Sequence, residues 1–136
     1  MKRACYCINL RRSANVVSAI YDRYLKSTGL TINQYSLLVN IQRLNLCSVS
    51  QLATQVNLER TTLVRMLKPL FEKKWIEDLS KNGERNRKIQ LTMHGEKILL
   101  EAKYYWQLAQ NEIEGKIGKQ KVEILMDILN ELEEMV

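Results

Sequence analysis

One segment of the chain places hydroxyl and basic side chains where a helix would present them together. In LERTTLVRMLKPLFEKKWI (residues 58–76), Thr61, Arg65 and Lys68 point away from the apolar face at about 100° per residue. Arg60 lies on the flank at the start of this helix, from where its side chain reaches outward. Guanidinium groups bind base edges and phosphates, and ammonium groups bind phosphates. The pattern favours insertion into a DNA groove; a solvated face with long cations is the alternative.

A second set of basic residues surrounds a predicted hairpin. Residues 76–79 and 89–91 each fit a short strand. Asn82-Gly83, between them, is a preferred pair for a type I′ turn, because both central residues of that turn need positive φ. A protruding basic hairpin places cations at phosphates or in a narrow minor groove. The cations are Lys81, Arg85, Arg87 and Lys88, and Glu84 is the acid among them.

Two helix-start signals precede residues 58–76 and locate the elements that must support them. Thr31 with Gln34, and Ser48 with Gln51, fit the capping-box pattern, in which each side chain bonds the backbone N–H of the other residue. Both pairs stand directly before apolar positions at helical spacing. The sequence therefore predicts two short helices joined by a tight turn, followed by the basic helix.

Longer helices flank this region on both sides. Residues 5–26 fit a first helix, Thr92 is the predicted N-cap of a long helix to about Lys116, and a last helix follows Gly118. The last helix has an apolar stripe too wide to leave exposed to water. Its main positions are Val122, Leu125, Leu129, Leu132 and Val136. Because the first helix is equally apolar, we expect the two to form a dimer interface, with packing inside one chain as the alternative.

Composition and charge narrow the class of protein. The chain has 136 residues, 46% of them hydrophobic and 26% charged, which fits one domain with a packed core. Its net charge of +6 divides into +5 for residues 1–29, +1 for 30–56, +4 for 57–95 and −4 for 96–136. A basic front with an acidic rear is typical of a nucleic-acid binder with a separate assembly element.

Several other classes are excluded by what the sequence lacks. No apolar run reaches the roughly 18 residues of a membrane span, so no membrane partner is expected. The odd number of cysteines, three, argues for reduced thiols and a cytoplasmic location. One histidine, no phosphate-binding glycine loop and no evident carboxylate pair argue against an enzyme, and we expect no cofactor.

A metal site is also not expected. The potential ligands are Cys5, Cys7, Cys47 and His94. Residues two apart on a helix point about 200° away from each other, so Cys5 and Cys7 suit neither a shared zinc ion nor an easy disulfide.

The order of these elements resembles the MarR family of bacterial transcription regulators. The motifs that carry the resemblance are GLTINQYSLL (29–38), SVSQLATQVNLERTTLVRMLKPL (48–70) and ERNRKIQLTMHGEKIL (84–99). The resemblance implies a mainly α fold, a winged helix-turn-helix with a two-stranded β-hairpin wing in a DNA-binding lobe over residues 30–95. Residues 1–29 and 96–136 would then be dimerisation helices within one domain spanning 1–136.

The resemblance further implies a sequence-specific DNA-binding regulator, in most relatives a repressor. Such proteins bind a palindromic operator on double-stranded DNA as homodimers and are released by a small ligand or an oxidant. Two positions depart from the family pattern: Gly83 replaces the acid that steadies the wing arginine, and Lys74 replaces the glycine that ends the recognition helix. By position, the DNA-binding residues are Arg60, Thr61, Thr62, Arg65 and Lys68 in the helix and Arg85, Arg87 and Lys88 in the wing.

The resemblance also suggests how such a regulator would be controlled. Cys5 and Cys7 resemble a Cys-x-Cys branch of the family, and Cys7 with Tyr21 matches a peroxide-sensing pair, although Ile32 replaces a second tyrosine of that pattern. Packing residues in a dimer interface are the alternative for both cysteines. The aromatic run 104–106 is a candidate wall for a small aromatic ligand, or it is packing alone.

The alternative function is a winged-helix module for protein–protein contact without sequence-specific DNA binding. Such a module has no need for the cations that gather on the predicted helix and wing. This distribution of charge favours the DNA-binding function.

Overall fold

A computed structural model describes residues 5–81 and 87–136. It confirms the mainly helical fold with a two-stranded antiparallel sheet. In chain order the elements are α1 (Tyr6–Leu25), a 3₁₀ turn (Lys26–Thr28), α2 (Ile32–Leu44), α3 (Val49–Val56), α4 (Arg60–Glu72), β1 (Ile76–Asp78), β2 (Ile89–Leu91), α5 (Met93–Ile117) and α6 (Lys119–Glu133).

Both predicted capping boxes are present. Thr31 Oγ1 accepts from Gln34 N at 3.2 Å, and Gln34 Oε1 accepts from Thr31 N at 3.0 Å. Ser48 and Gln51 repeat the arrangement at 3.1 and 2.8 Å. Each box supplies partners for N–H groups that the helix itself leaves unbonded, so the starts of α2 and α3 are fixed locally.

The basic helix begins two residues later than the predicted start at Leu58. Asn57 ends α3 in the left-handed conformation with φ of 54°, and Leu58 N donates back to Ala53 O at 3.1 Å. Leu58 therefore belongs to the turn between the helices. Glu59 has extended backbone angles and is the N-cap, so α4 starts at Arg60.

The end of α4 keeps the geometry expected of a glycine even though Lys74 occupies that position. Lys74 has a φ of 60°, a region that favours glycine because a Cβ is crowded there. Its N–H donates to Phe71 O at 3.0 Å, and Trp75 N donates to Leu70 O at 3.1 Å. These bonds end the helix cleanly and turn the chain into β1.

The sheet pairs Ile76 with Leu91 and Asp78 with Ile89, which confirms the predicted strand pairing, although β1 ends at Asp78 and not at residue 79. One backbone pairing next to the sheet was not predicted. Cys47 forms an isolated antiparallel bridge with Ile89, with N–O distances of 3.0 and 2.7 Å. The predicted Asn82-Gly83 turn lies outside the described residues.

A continuous apolar core joins α2, α3, α4, the sheet and the first half of α5. Leu38, Ile41, Leu52, Leu63 and Leu70 are among its fully buried members, and α5 contributes Leu99 and Ala102. The core therefore fixes α4 and the base of the hairpin to the start of α5.

The two ends of the described chain carry apolar side chains that this core does not cover. Residues 6–17 of α1 are all exposed, and α6 has no buried residue and packs mainly on α5. Among the helices that the structure describes, none is long and apolar enough to cross a membrane. The larger exposed apolar side chains are Tyr6, Ile8, Leu10, Val16 and Val17 of α1 and Ile124, Leu125, Met126, Ile128 and Leu132 of α6.

The start of α5 is tied closely to the end of α4. Thr92, the predicted N-cap, accepts from Gly95 N at 2.9 Å and donates its hydroxyl to Lys74 O at 2.6 Å. Thr92 N donates to Trp75 O at 3.0 Å. A Cβ on Gly95 would stand 1.9 Å from Trp75 O, so the approach of the two backbones requires glycine at this position.

We expect Gly95→Ala to lower the free energy of unfolding by about 1–3 kcal/mol, since the added methyl must push the backbone of Trp75 aside. Gly115→Ala is the matched control in the same helix, because its Cβ would meet no atom of the described residues within 4 Å. That variant should be more stable by roughly 0.5–1 kcal/mol. Chemical denaturation followed by circular dichroism measures both, and equal effects would contradict the close-approach argument.

Candidate nucleic-acid interface

The two faces of α4 separate as the sequence predicts. Leu63, Leu67 and Leu70 are buried, whereas Thr61, Arg65 and Lys68 are exposed on the opposite side. Met66 and Phe71 are half-buried and pack against the core, which completes the predicted apolar face. Thr62, assigned with the others by position, is also half-buried. The exposed basic face of α4 is therefore a rigid surface with a fixed orientation.

Arg60 stands at the first position of α4 and is held by the preceding helix. Its Nη1 donates to Ser50 Oγ of α3 at 3.0 Å. A guanidinium group has five N–H donors, and this bond uses one of them. Arg60 therefore links the two helices of the turn motif while its side chain remains exposed.

The described part of the hairpin adds further cations beside α4. Lys81, Arg87 and Lys88 are exposed. Arg85, the predicted wing arginine, lies outside the described residues, as do Gly83 and Glu84. The hairpin and α4 thus present basic side chains from two elements that share one core.

An acidic residue at the end of β1 organises the base of the hairpin. Asp78 Oδ1 accepts from Ser80 N at 2.9 Å and from Lys88 N at 3.2 Å, and Oδ2 lies 3.8 Å from Arg87 Nε. Desolvation raises the pKa of this carboxyl, but the hydrogen bonds from Ser80 and Lys88 and the charge of Arg87 outweigh it. The pKa therefore lies below its ordinary value, and Asp78 is ionised at neutral pH.

A groove with aromatic and basic side chains lies where α1, α2 and α5 meet. Its volume is about 630 Å³, and two of its lining residues, Tyr35 and Trp106, stack with ring centroids 6.0 Å apart. Burial raises the pKa of Tyr35. Arg43 and Lys103 stand on its wall, so the groove offers two cations next to two rings.

Of the aromatic run, only the third residue lines this groove. Trp106 is in its wall, Tyr105 packs against the core, and Tyr104 is 64% exposed. An aromatic-walled groove is present, but it takes its second ring from α2.

The three cysteines are free thiols in two different environments. Cys5 is the N-cap of α1 with extended backbone angles, so the prediction that the helix begins at Cys5 is wrong by one residue. Because Cys5 precedes the helix, the angle of about 200° expected between Cys5 and Cys7 does not hold. Both are exposed, whereas Cys47 is buried and burial raises the pKa of its thiol.

Tyr21 follows Cys7 by fourteen positions along α1. At about 1.5 Å per residue they are roughly 21 Å apart, so they do not meet within one chain. In the described residues, no group of three or more His, Cys, Asp or Glu side chains is arranged to hold a metal ion.

Four consecutive residues of α1 attach that helix to its neighbours, a feature that the sequence did not reveal. Asp22 Oδ1 accepts from Ile32 N at 2.7 Å and so caps α2 from another helix. Tyr21 donates to Gln110 of α5, and Arg23 bonds both carboxylate oxygens of Glu112 at 2.9 Å. Tyr24 also donates to Glu112, at 3.3 Å. These contacts fix α1 and α5 relative to α2.

The order of α2, α3, α4 and the hairpin defines a winged helix-turn-helix protein, a class whose second turn-motif helix lies in the DNA major groove. A model of the MarR family matches residues 30–85. The M. tuberculosis transcriptional regulator MosR, solved in complex with DNA, is 30% identical, covers 97% of this chain and 98% of its own, and superposes with a TM-score of 0.82. The chain belongs to the MarR family of transcriptional regulators.

More distant solved structures share the fold. The transcriptional repressor CouR, bound to a 23-mer DNA duplex, is 19% identical over 95% of this chain and 92% of its own, with a TM-score of 0.86. NadR in complex with 4-hydroxyphenylacetate is 24% identical over 97% and 94%, with a TM-score of 0.72. These matches extend the family fold to α1 and α6, beyond the residues that the family model covers.

Proposed function

We propose that this chain is a homodimeric transcriptional repressor that binds a palindromic operator. The observation that carries the proposal is the rigid, exposed basic face of α4, which comprises Thr61, Arg65 and Lys68. In this proposal α4 lies in the major groove, where Arg65 reads base edges and Arg60 and Lys68 bind phosphates. The wing binds the flanking backbone through Lys81, Lys88 and Arg85. That MosR was solved in complex with DNA supports DNA binding by this chain.

The dimer is proposed from surfaces that one chain leaves uncovered. Apolar side chains project from residues 6–17 of α1 and along α6, and contiguous apolar surface of this kind is rare on a monomer. The charges of the two regions are complementary, since Arg11 and Arg12 stand in α1 and Glu131 lies in α6. Residues 30–95 would form the DNA-binding lobe, with 1–29 and 96–136 pairing across a two-fold axis. Half-sites would then be about 34–36 Å apart.

Ile128→Asp tests the dimer, because it places a charge in the middle of the exposed apolar stripe of α6. We expect the parent protein to sediment as a dimer at micromolar concentration and the variant to shift toward monomer. Met93→Asp is the control, as Met93 is 88% exposed but lies at the start of α5, outside the proposed interface. A monomeric parent, or an Ile128→Asp protein that stays dimeric, would contradict the proposed interface.

DNA binding is tested with a duplex obtained by selection from random sequences or taken from upstream of the gene for this protein. If the dimer contacts six to ten phosphates, affinity should fall by about 10³–10⁵ between 50 and 200 mM salt. A protein–protein module would show a far weaker dependence on salt.

Two substitutions then separate base reading from phosphate binding. Arg65→Ala should reduce the preference for the selected duplex over random DNA, since one base contact is worth about 1–3 kcal/mol of discrimination. Arg85→Ala, at the position that the family resemblance assigns to the wing arginine, should weaken both duplexes about equally. Lys119→Ala in α6 is the control and should leave both affinities unchanged. Parent-like binding by both arginine variants would refute the assignment of the site.

The groove between α1, α2 and α5 is the proposed site of a small effector. Stacked rings beside Arg43 and Lys103 suit an aromatic anion, and NadR binding 4-hydroxyphenylacetate supports this class of ligand. An oxidant acting at Cys7, with Cys5 and Tyr21 as the other residues that the family resemblance assigns to sensing, is the competing proposal. Either effector releases DNA only if it binds the DNA-free conformation more tightly.

The same titration distinguishes the two effectors. We expect 4-hydroxyphenylacetate, used as the probe, to weaken DNA binding of the parent but to have little effect on Lys103→Met, which lacks the cation. In the competing proposal peroxide acts through Cys7, so it should release DNA from the parent and from Cys47→Ala, whose missing thiol is a buried one, but not from Cys7→Ser. If peroxide alone releases the DNA, Cys7 is the sensor and the groove is not the effector site. If neither probe releases the DNA, both proposals are rejected.

A further inference from the structure

A single guanidinium group connects the hairpin to the exposed basic helix. Arg87 leaves the hairpin just before β2, and the carbon of its guanidinium lies 5.8 Å from the centre of the Phe71 ring in α4. The Asp78 carboxylate is also near, with Oδ2 at 3.8 Å from Nε. Arg87 therefore contacts both an aromatic ring of the helix and an anion of the sheet.

The anion in this arrangement is itself fixed by the backbone. Asp78 Oδ1 accepts N–H groups from both sides of the hairpin, one from Ser80 and one from Lys88. Leu79 N also donates to Lys88 O at 2.8 Å, which extends the pairing beyond β1. Because Asp78 has this support, its carboxylate is a stable point against which Arg87 can be positioned.

The sequence gives a reason to look for such an anchor in this protein. The acid that the family pattern places two positions before the wing arginine is replaced here by Gly83. Asp78 and Arg87 supply a carboxylate and a guanidinium at other positions, and their contact reaches Phe71 of α4, not only the hairpin itself.

We propose that Asp78 is a positioning residue that holds Arg87 against Phe71 and so sets the distance between the wing and α4. In this proposal, which rests on the proposed DNA-binding function, Arg87 braces the wing and does not bind phosphate directly. Removing either member of the pair would let the wing move relative to the major-groove helix. Affinity for DNA would fall while the number of phosphate contacts stayed the same.

A double-mutant cycle tests this division of roles. Asp78→Asn keeps an oxygen for the two N–H groups but removes the charge, and Arg87→Gln removes the guanidinium. We expect each change to weaken DNA binding about 3- to 10-fold, the range for one exposed ion pair with a cation–π contact, and the double variant to be no weaker than either single one. The slope of log affinity against log salt should stay at the parent value in all three.

A direct phosphate contact would give a different result. Arg87→Gln would then reduce the salt slope by about 0.9 per subunit, and Asp78→Asn would leave or raise the affinity because it frees a cation. Either outcome overturns the proposal. Glu77→Gln is the matched control in the same strand; Glu77 accepts from Gln90 Nε2 at 3.0 Å and is not part of the brace. Its affinity should stay within about twofold of the parent.

The contacts of Arg87 with Asp78 and Phe71, which form the proposed brace, are also measured in the absence of DNA. A failure of the proposed DNA-binding function is then recognised separately. In the free protein, NMR should show the Arg87 Nε–H resonance shifted by the ring of Phe71. Both Asp78→Asn and Phe71→Leu should abolish that shift. If the shift is absent from the parent, or survives in Asp78→Asn, the proposal is wrong whether or not the protein binds DNA. If the shift behaves as expected and no duplex is bound, the brace stands and the proposed DNA-binding function fails.

Discussion

The burial of one side of α4 determines which of its side chains remain available for binding. Leu63, Leu67 and Leu70 lie in the core shared with α2, α3 and α5, where deleting a leucine side chain costs about 2–5 kcal/mol. A helix fixed on one side has no freedom to rotate, so Arg65 and Lys68 must face solvent. The orientation of the basic face thus follows from apolar packing, and the cations need no mutual contacts to maintain it.

The same constraint extends to α5 through backbone contacts. Thr92 bonds the carbonyl of Lys74 and, through its N–H, that of Trp75, while Gly95 allows the two backbones to approach. Because these contacts involve main-chain atoms, a small rearrangement of side chains does not release them. A change in the direction of α5 must therefore move the end of α4 and the start of the hairpin with it. The start of α2 is attached to α1 by one hydrogen bond, which Ile32 N donates to the Asp22 carboxylate.

Features encoded within a few residues were predictable from sequence, whereas features made by distant residues were not. The capping boxes, the N-cap at Thr92 and the amphipathic face of α4 each depend on neighbours up to about two helical turns away. The start of α4 is predicted two residues too early, because the N–H of Leu58 bonds Ala53 of the preceding helix and no spacing pattern signals that bond. The bridge from Cys47 to Ile89 and the contacts of Arg87 join residues far apart in sequence, and spacing carries no signal for them. The candidate site was therefore predicted as a set of cations, but not the contacts that hold them.

In the proposed dimer, the folding of α1 and α6 depends on association of the two subunits. Residues 6–17 of α1 extend for about 18 Å without burying a side chain, and α6 buries none along its length. Helices of roughly 12–15 residues are marginal in water without tertiary packing. The described part of the chain supplies little of that packing to these residues. In the proposed dimer the partner subunit would provide it, and the helices and the dimer would form in one equilibrium that depends on protein concentration. Since α1 is attached to α2 and α5 through Tyr21–Tyr24, that equilibrium would also govern how firmly α2, and with it α4, is held.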